Sequence, residues 1–211
     1  MAVALATATD AAAQNPAPTV RDDAHALVRR GIPVALVLDA ATTIDTPASV
    51  PAASPAPDDR HGSIIALAAR WAGRFDVSDD GTVVTLASPR SACAAAVDRQ
   101  VETTDISGTP IAVTFALAQR LDPALAGLPP PGLLGGGPGN ADDTRRLVTA
   151  TVALDGGTTS LRAAFNQVVT KAGHLGWLIA EERDTDGRQA CRVTLVGSHS
   201  IVQTFHAIPI P

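Results

Sequence analysis

The chain has 211 residues, of which 45% are hydrophobic and 3% aromatic, and its formal net charge is -5. This apolar content supplies the core of one ordinary domain or of two small ones. The negative charge and the lack of tyrosine argue against nucleic acid as a partner, because phosphates attract basic surfaces and unpaired bases stack on aromatic rings. No apolar run approaches the ~20 residues of a membrane-spanning helix, so we expect a protein that does not span a membrane.

The N-terminal segment, residues 1–19, consists mainly of small residues. Ala11, Ala12 and Ala13 resemble the small-residue cleavage site of a secretory signal, although the usual cationic start is missing. We interpret the segment as the remnant of a signal peptide, with a disordered tail as the alternative. The first interpretation predicts a protein that is periplasmic or secreted.

The first regular elements are a helix and a strand. The helix is predicted from about residue 20 to residue 30, where Gly31 suits a left-handed C-terminal cap. The apolar run 32–38 then predicts a strand with Pro33 at its start or on a sheet edge. A Pro/Ala-rich loop, 39–62, follows.

A helix and a hairpin come next, and the same pattern recurs in the second half. In the first copy, 63–86, Gly73 ends the helix and an acidic turn with glycine joins two alternating strands. The second copy, 160–195, keeps this order. The repeat predicts two similar small modules, 20–89 and 90–211.

The region between the copies has weaker signals. It predicts a strand around 97–106, a helix over 110–121 and a Pro/Gly-rich loop over 122–146. The run 147–154 is predicted to be a strand because of its β-branched residues. The apolar residues of the tail, 197–211, are expected to dock on a neighbouring element.

Three features follow one another in the first half: a helix leading into a glycine and a strand (26–34), a helix with small buried residues (66–73) and a terminal hairpin (80–86). The same plan continues over 110–121 and 149–195. In this order of elements the chain resembles the secretin and TonB short N-terminal (STN) domain family, as two tandem degenerate copies.

The resemblance implies a protein of the bacterial envelope that contacts other proteins, and it carries over no catalytic residue. We expect an α+β fold of two modules, each a short sheet packed on amphipathic helices with a C-terminal hairpin. A protein partner would pair with an open strand edge, since short sheets leave N–H and C=O groups unpaired there. The alternatives are a small exported enzyme with its site between the modules and a structural part of an envelope assembly.

The polar residues predict no catalytic, cofactor-binding or metal-binding site. Ser198 precedes His199, but the Gly-x-Ser-x-Gly elbow of a nucleophilic serine is absent. Histidines are scattered without metal-ligand spacing, so we interpret them as solvated imidazoles. They are His25, His61, His174, His199 and His206.

Other chemically distinctive residues are given structural roles. Trp71 and Trp177 are assigned to the core. A disulfide between Cys93 and Cys191 would tie the two halves together and contribute about 2–4 kcal/mol, whereas free thiols would fit a cytosolic protein. Acidic pairs at helix starts and turns are interpreted as caps. These pairs are Asp22-Asp23, Asp58-Asp59, Asp79-Asp80 and Asp142-Asp143.

Overall fold

The structure is a computed structural model that describes residues 17–49, 59–122, 125, 141–183, 187 and 189–209, with the backbone alone for 202–209. The signal-peptide assignment, most of the Pro/Gly-rich loop and His206 as a side chain lie outside the described residues.

The described residues form six helices and ten strands. In the first half they are α1 (Val20–Arg29), β1 (Val34–Leu38), α2 (Arg60–Arg70), β2 (Asp76–Asp79) and β3 (Val84–Ala87). In the second half they are α3 (Cys93–Val97), β4 (Gln100–Glu102), β5 (Ser107–Gly108), α4 (Pro110–Leu121), α5 (Ala141–Thr149), β6 (Val152–Ala153), β7 (Thr158–Ser160), α6 (Leu161–Ala172), β8 (Gly176–Arg183), β9 (Gln189–Val196) and β10 (Ile201–Pro209).

The predicted elements of the first half are confirmed, and local capping explains why. Thr19 and Asp22 form a capping box at the start of α1: each side chain accepts the backbone N–H of the other residue. Gly31, with φ of +74°, follows the helix in the left-handed conformation that glycine tolerates. Asp59 caps α2, which therefore begins earlier than the repeat pattern predicts.

One strand prediction in the second half is wrong, and another is confirmed over three residues only. Most of 147–154 belongs to α5 or to the link after it, and only β6 is extended. Acidic residues in the first turn of α5 favour the helix, and the buried Leu147 packs from it into the core, so tertiary contacts outweigh the β-branched composition. The run 97–106 starts at the end of α3 and contains the three-residue strand β4 and no longer strand.

The fold is mixed α+β, as predicted, but the repeat of two modules is not confirmed. One six-stranded sheet contains strands of both halves in the order β10-β9-β8-β1-β3-β2. β1 pairs in parallel with β3 on one side and with β8 on the other, and the remaining pairs are antiparallel. Two small sheets, β4-β7 and β5-β6, lie outside it.

Helices cover both faces of the large sheet. Side chains of β1 alternate between two hydrophobic clusters: Leu36 belongs to the cluster with α1 and α2, and Val37 to the cluster with α3 to α6. Trp71 lies in the first cluster and Trp177 in the second. The helices of the two copies, α2 and α6, therefore pack on opposite faces of one sheet. The copies also differ in the hairpin strand that meets β1: β3 in the first copy and β8 in the second.

The close approach of β8 to β1 depends on a glycine. A Cβ at Gly176 would lie 2.5 Å from Cγ1 and 2.7 Å from the carbonyl oxygen of Val34. We expect Gly176→Ala to lower the free energy of unfolding by about 1–3 kcal/mol, because the strands would have to separate. Urea denaturation measures this change.

Gly156→Ala is the matched control. Its added Cβ would meet Thr104 at 3.6 Å, which is ordinary van der Waals contact, so we expect a change within about 0.5 kcal/mol. Equal effects of the two substitutions would contradict the close packing of β1 and β8.

Candidate functional site

The unpaired backbone groups of the large sheet lie on its two edge strands, because every inner strand pairs on both sides. One edge, β2, has four residues and is largely exposed and acidic, and its Asp79 forms an ion pair with Arg60 at 2.6 Å. The other edge, β10, has nine residues and pairs with β9 on its inner side. No described strand pairs with the outer side of β10. β10 is therefore the longer edge without a described partner strand, and helix α4 is the helix that contacts this strand most. The tail docks on a neighbouring element by forming strand β10, which pairs with β9.

The outward-facing groups of β10 follow from its pairing with β9. Gly197 N–H donates to the carbonyl oxygen of Ser200 at 2.7 Å and closes a two-residue turn. Gly197 and Ser200 form a hydrogen-bonded pair, and hydrogen-bonded and non-hydrogen-bonded pairs alternate along an antiparallel ladder. Val202, two residues beyond Ser200, therefore pairs with Leu195 through both its N–H and its C=O group. The N–H and C=O groups of Ile201 and Gln203 therefore point away from β9.

A buried carboxylate holds the turn from which β10 begins. Asp143, in the first turn of α5, is 2% exposed and accepts four hydrogen bonds from the turn. The donors are Ser198 N–H at 3.1 Å, Ser198 Oγ at 2.6 Å, His199 N–H at 2.9 Å and Ser200 Oγ at 3.1 Å. Gly197 has no room for a side chain, since a Cβ there would collide with this carboxylate. Helix α5 thus fixes the β9–β10 turn.

The environment of Asp143 keeps it ionised. Burial by itself would raise the pKa of this carboxyl, but the hydrogen bonds from Ser198, His199 and Ser200 outweigh burial and lower the pKa below its ordinary value. Sequence reasoning placed Asp143 at a helix start and missed its bond to a distant turn. The sequence signal for this contact is the segment Gly-Ser-His-Ser at 197–200, whose hydroxyl and backbone N–H groups are hydrogen-bond donors that a carboxylate can accept.

A cleft of about 600 Å³ lies beside the turn. Arg29 at the end of α1, Arg146 in α5, His174 after α6 and His199 in the turn contribute side chains to its wall. Arg29 Nη1 donates to the carbonyl oxygen of Ser198 at 3.3 Å, and His174 Nδ1 lies 3.3 Å from that of Val28. The remaining lining residues are Ala141, Asp142, Asp143 and Ser198.

The histidines are less scattered than the sequence predicts. His174 and His199 are exposed and share the cleft, whereas His61 is exposed on α2. His25 is not solvated: it is 9% exposed and its Nε2 has no partner. Burial, followed by the charges of Arg21 and Arg29, lowers the pKa of His25. In the described part of the chain no group of His, Cys, Asp or Glu could hold a metal ion.

Other residues singled out in the sequence lie in structural positions. Cys93 in α3 and Cys191 in β9 form a disulfide with Cα atoms 5.7 Å apart. Both cysteines lie in elements of the second half, so the bond does not tie the two halves together as predicted. Both tryptophans are fully buried, as predicted. Trp71 Nε1 donates to Asp23 at 2.8 Å, and Trp177 Nε1 donates to Asn166 at 2.8 Å.

The acidic pairs divide between caps and other roles. Asp22 and Asp59 cap helices as predicted, and Asp80 accepts backbone N–H groups of the β2–β3 turn. Asp23 instead accepts from Trp71 and pairs with Arg70 in the core. Asp58 lies outside the described residues.

Comparisons with known proteins give no relative: no protein-family model, curated protein or solved structure matches the chain. The resemblance to STN domains therefore stays a prediction. Among the described helices, none has the length and apolar character needed to cross a membrane.

We expect Asp143→Asn to lower the free energy of unfolding at neutral pH by about 1–3 kcal/mol, because an amide N–H₂ group would face donors of the turn. The folded pKa of Asp143 is depressed, so its stabilising contribution is complete above the unfolded-state value of 3.8 and is lost as the pH falls through the folded pKa. The difference between wild type and variant should therefore shrink in acid. Urea denaturation at a series of pH values measures it.

Asp142→Asn removes the same charge from the neighbouring residue, which is exposed, and should change stability by no more than about 0.5 kcal/mol. A loss in Asp143→Asn no larger than in this control would contradict the role of Asp143 in holding the turn.

Proposed function

We propose that this protein is a non-enzymatic interaction module of the bacterial envelope that binds an extended segment of a partner protein along the outer edge of β10. The observation that carries the proposal is the open edge of this nine-residue strand. A partner strand would hydrogen-bond to the outward N–H and C=O groups of Ile201 and Gln203.

The rest of the fold favours this edge over other surfaces. Both faces of the sheet are covered by helices, and the opposite edge, β2, is short and acidic. Charged side chains and short length are features by which proteins protect an edge from pairing. β10 pairs with β9 over 201–203 and again over 207–209, with a register shift between Gln203 and Ala207. A partner strand would therefore pair with the segment 201–203, which precedes the irregularity.

The turn before β10 also supports binding. The four hydrogen bonds to Asp143 fix the start of the strand before any partner arrives. A preorganised edge lowers the entropy cost of binding, so more of the interaction free energy appears as affinity.

The envelope location rests on two supports. The Cys93–Cys191 disulfide fits an oxidising compartment, where such bonds persist. The resemblance to STN domains points to the same place.

The main alternative, an exported enzyme, has weaker support from the cleft. A nucleophilic serine needs a hydrogen-bonded base of suitable pKa. Ser198 Oγ donates to Asp143, whose depressed pKa makes it a poor base. The described part of the cleft offers Ser198 no imidazole partner in its place.

A peptide-selection experiment tests the proposal. Linear peptides are selected from a phage-displayed random library on the folded protein, and amide hydrogen exchange is measured with and without a selected peptide. We expect the peptide to slow exchange at Ile201 and Gln203. Gln203→Pro removes one outward N–H and places a pyrrolidine ring on the edge, so it should weaken peptide binding by about tenfold or more.

Gln203→Ala is the control at the same position, because it changes the side chain and keeps the N–H. It should bind the peptide within about twofold of wild type, which is a change of less than 1 kcal/mol. The proposal fails if the selected peptides protect other surfaces and leave β10 unaffected, or if the proline and alanine variants bind equally well.

A further inference from the structure

The cleft beside the β9–β10 turn brings together cationic and imidazole side chains that are distant in the sequence. Arg29 comes from α1, Arg146 from α5, His174 from the segment after α6 and His199 from the turn. All of them precede β10 in the chain. A volume of about 600 Å³ is in the range of pockets that bind small organic molecules.

Two carboxylates also line the cleft, and neither forms an ion pair with its arginines. Both oxygens of Asp143 accept hydrogen bonds from the turn, so they do not take up the donors of the cleft arginines. Asp142 is exposed, and one of its oxygens lies 3.9 Å from Nη1 of Arg145, which does not line the cleft.

The arginines, in contrast, keep donors for a ligand. No carboxylate of the described residues forms an ion pair with Arg29 or Arg146. Arg29 uses one N–H group on the carbonyl oxygen of Ser198, and a guanidinium has five. Arg146 is partly buried on the face of α5 that lines the cleft. Partial burial strengthens the attraction of such a cation for an anion, because less water screens the charge.

From this arrangement we propose that the cleft binds a small anionic molecule through a phosphate or carboxylate group. The planar fork of a guanidinium matches the oxygens of either group with two parallel hydrogen bonds. Arg146 and Arg29 hold the anion from two sides, and the imidazoles of His174 and His199 add hydrogen bonds at the rim.

NMR titration of the ¹⁵N-labelled protein tests the assignment, with inorganic phosphate and acetate as separate probes at constant low ionic strength. We expect saturable shifts at the backbone amides of Ser198 and His199 and at Nε–Hε of Arg146. The probe with the lower dissociation constant identifies the group that the natural ligand carries.

Two neighbouring substitutions give a matched comparison. Arg146→Gln should weaken binding of the better probe by about tenfold or more, which is the loss expected for a charge-assisted pair. Arg145→Gln removes the same charge one residue away, outside the cleft, and should change binding by less than about twofold. His199→Gln changes an exposed side chain of the cleft and gives an independent variant if Arg146→Gln does not fold.

The proposal is overturned if neither probe produces saturable shifts at the cleft, or if Arg146→Gln and Arg145→Gln bind equally. Peptide selection on β10 is read at other residues and does not depend on this result, so failure of one proposal is distinguishable from failure of the other.

Discussion

The strand β1 pairs in parallel with β3 on one side and with β8 on the other, and all five of its residues are buried. Its sequence, Val-Ala-Leu-Val-Leu, is the continuous apolar run typical of a strand that is covered on both faces. Removing β1 would leave the hairpins β2–β3 and β8–β9 without a common sheet. The fold thus depends on burying this strand between two layers of helices.

The position of β1 also decides where a partner or a ligand could bind. Because β8, β9 and β10 extend the sheet on one side of it, β10 becomes an edge. Helices α1 and α5 pack into opposite clusters, and they approach the β9–β10 turn from two sides. The cleft lies between them, and the buried Asp143 joins the helical layer to the turn. The edge at β10 and the cleft beside the β9–β10 turn therefore both result from the same arrangement of sheet and helices.

Local sequence signals predicted the elements better than their arrangement. Thr19, Gly31 and Asp59 determine helix ends through contacts within a few residues, so the first half was predictable. Both helix-and-hairpin copies exist, as α2–β2–β3 and α6–β8–β9. Their similarity is limited to local sequence, however, and does not predict which strand of each hairpin pairs with β1.

The candidate site was harder to predict, because its parts are far apart in the sequence. Asp143 and the turn at 197–200 are linked only in the folded chain, and Arg29 joins them from the first helix. The strand prediction over 147–154 failed for a similar reason. Leu147 packs into the core from helix α5, and this tertiary contact cannot be predicted from amino-acid composition. The tail was expected to dock on a neighbouring element but not to form a strand, since the bond between Asp143 and the turn before β10 joins residues that are far apart in the sequence.

We expect β1 to join both halves into one cooperative unit. Trp71 and Trp177 lie in different halves and on opposite faces of the sheet, so each reports on one of the regions that β1 connects. The direct measurement is ¹⁹F NMR of the fluorotryptophan-labelled protein through a urea titration, with the disulfide intact. Both folded resonances should disappear with the same midpoint and the same slope, because β1 contributes residues to both hydrophobic clusters and its loss exposes both of them. Two separate midpoints, with one tryptophan still in its folded environment after the other has unfolded, would contradict the single sheet and favour two independent modules.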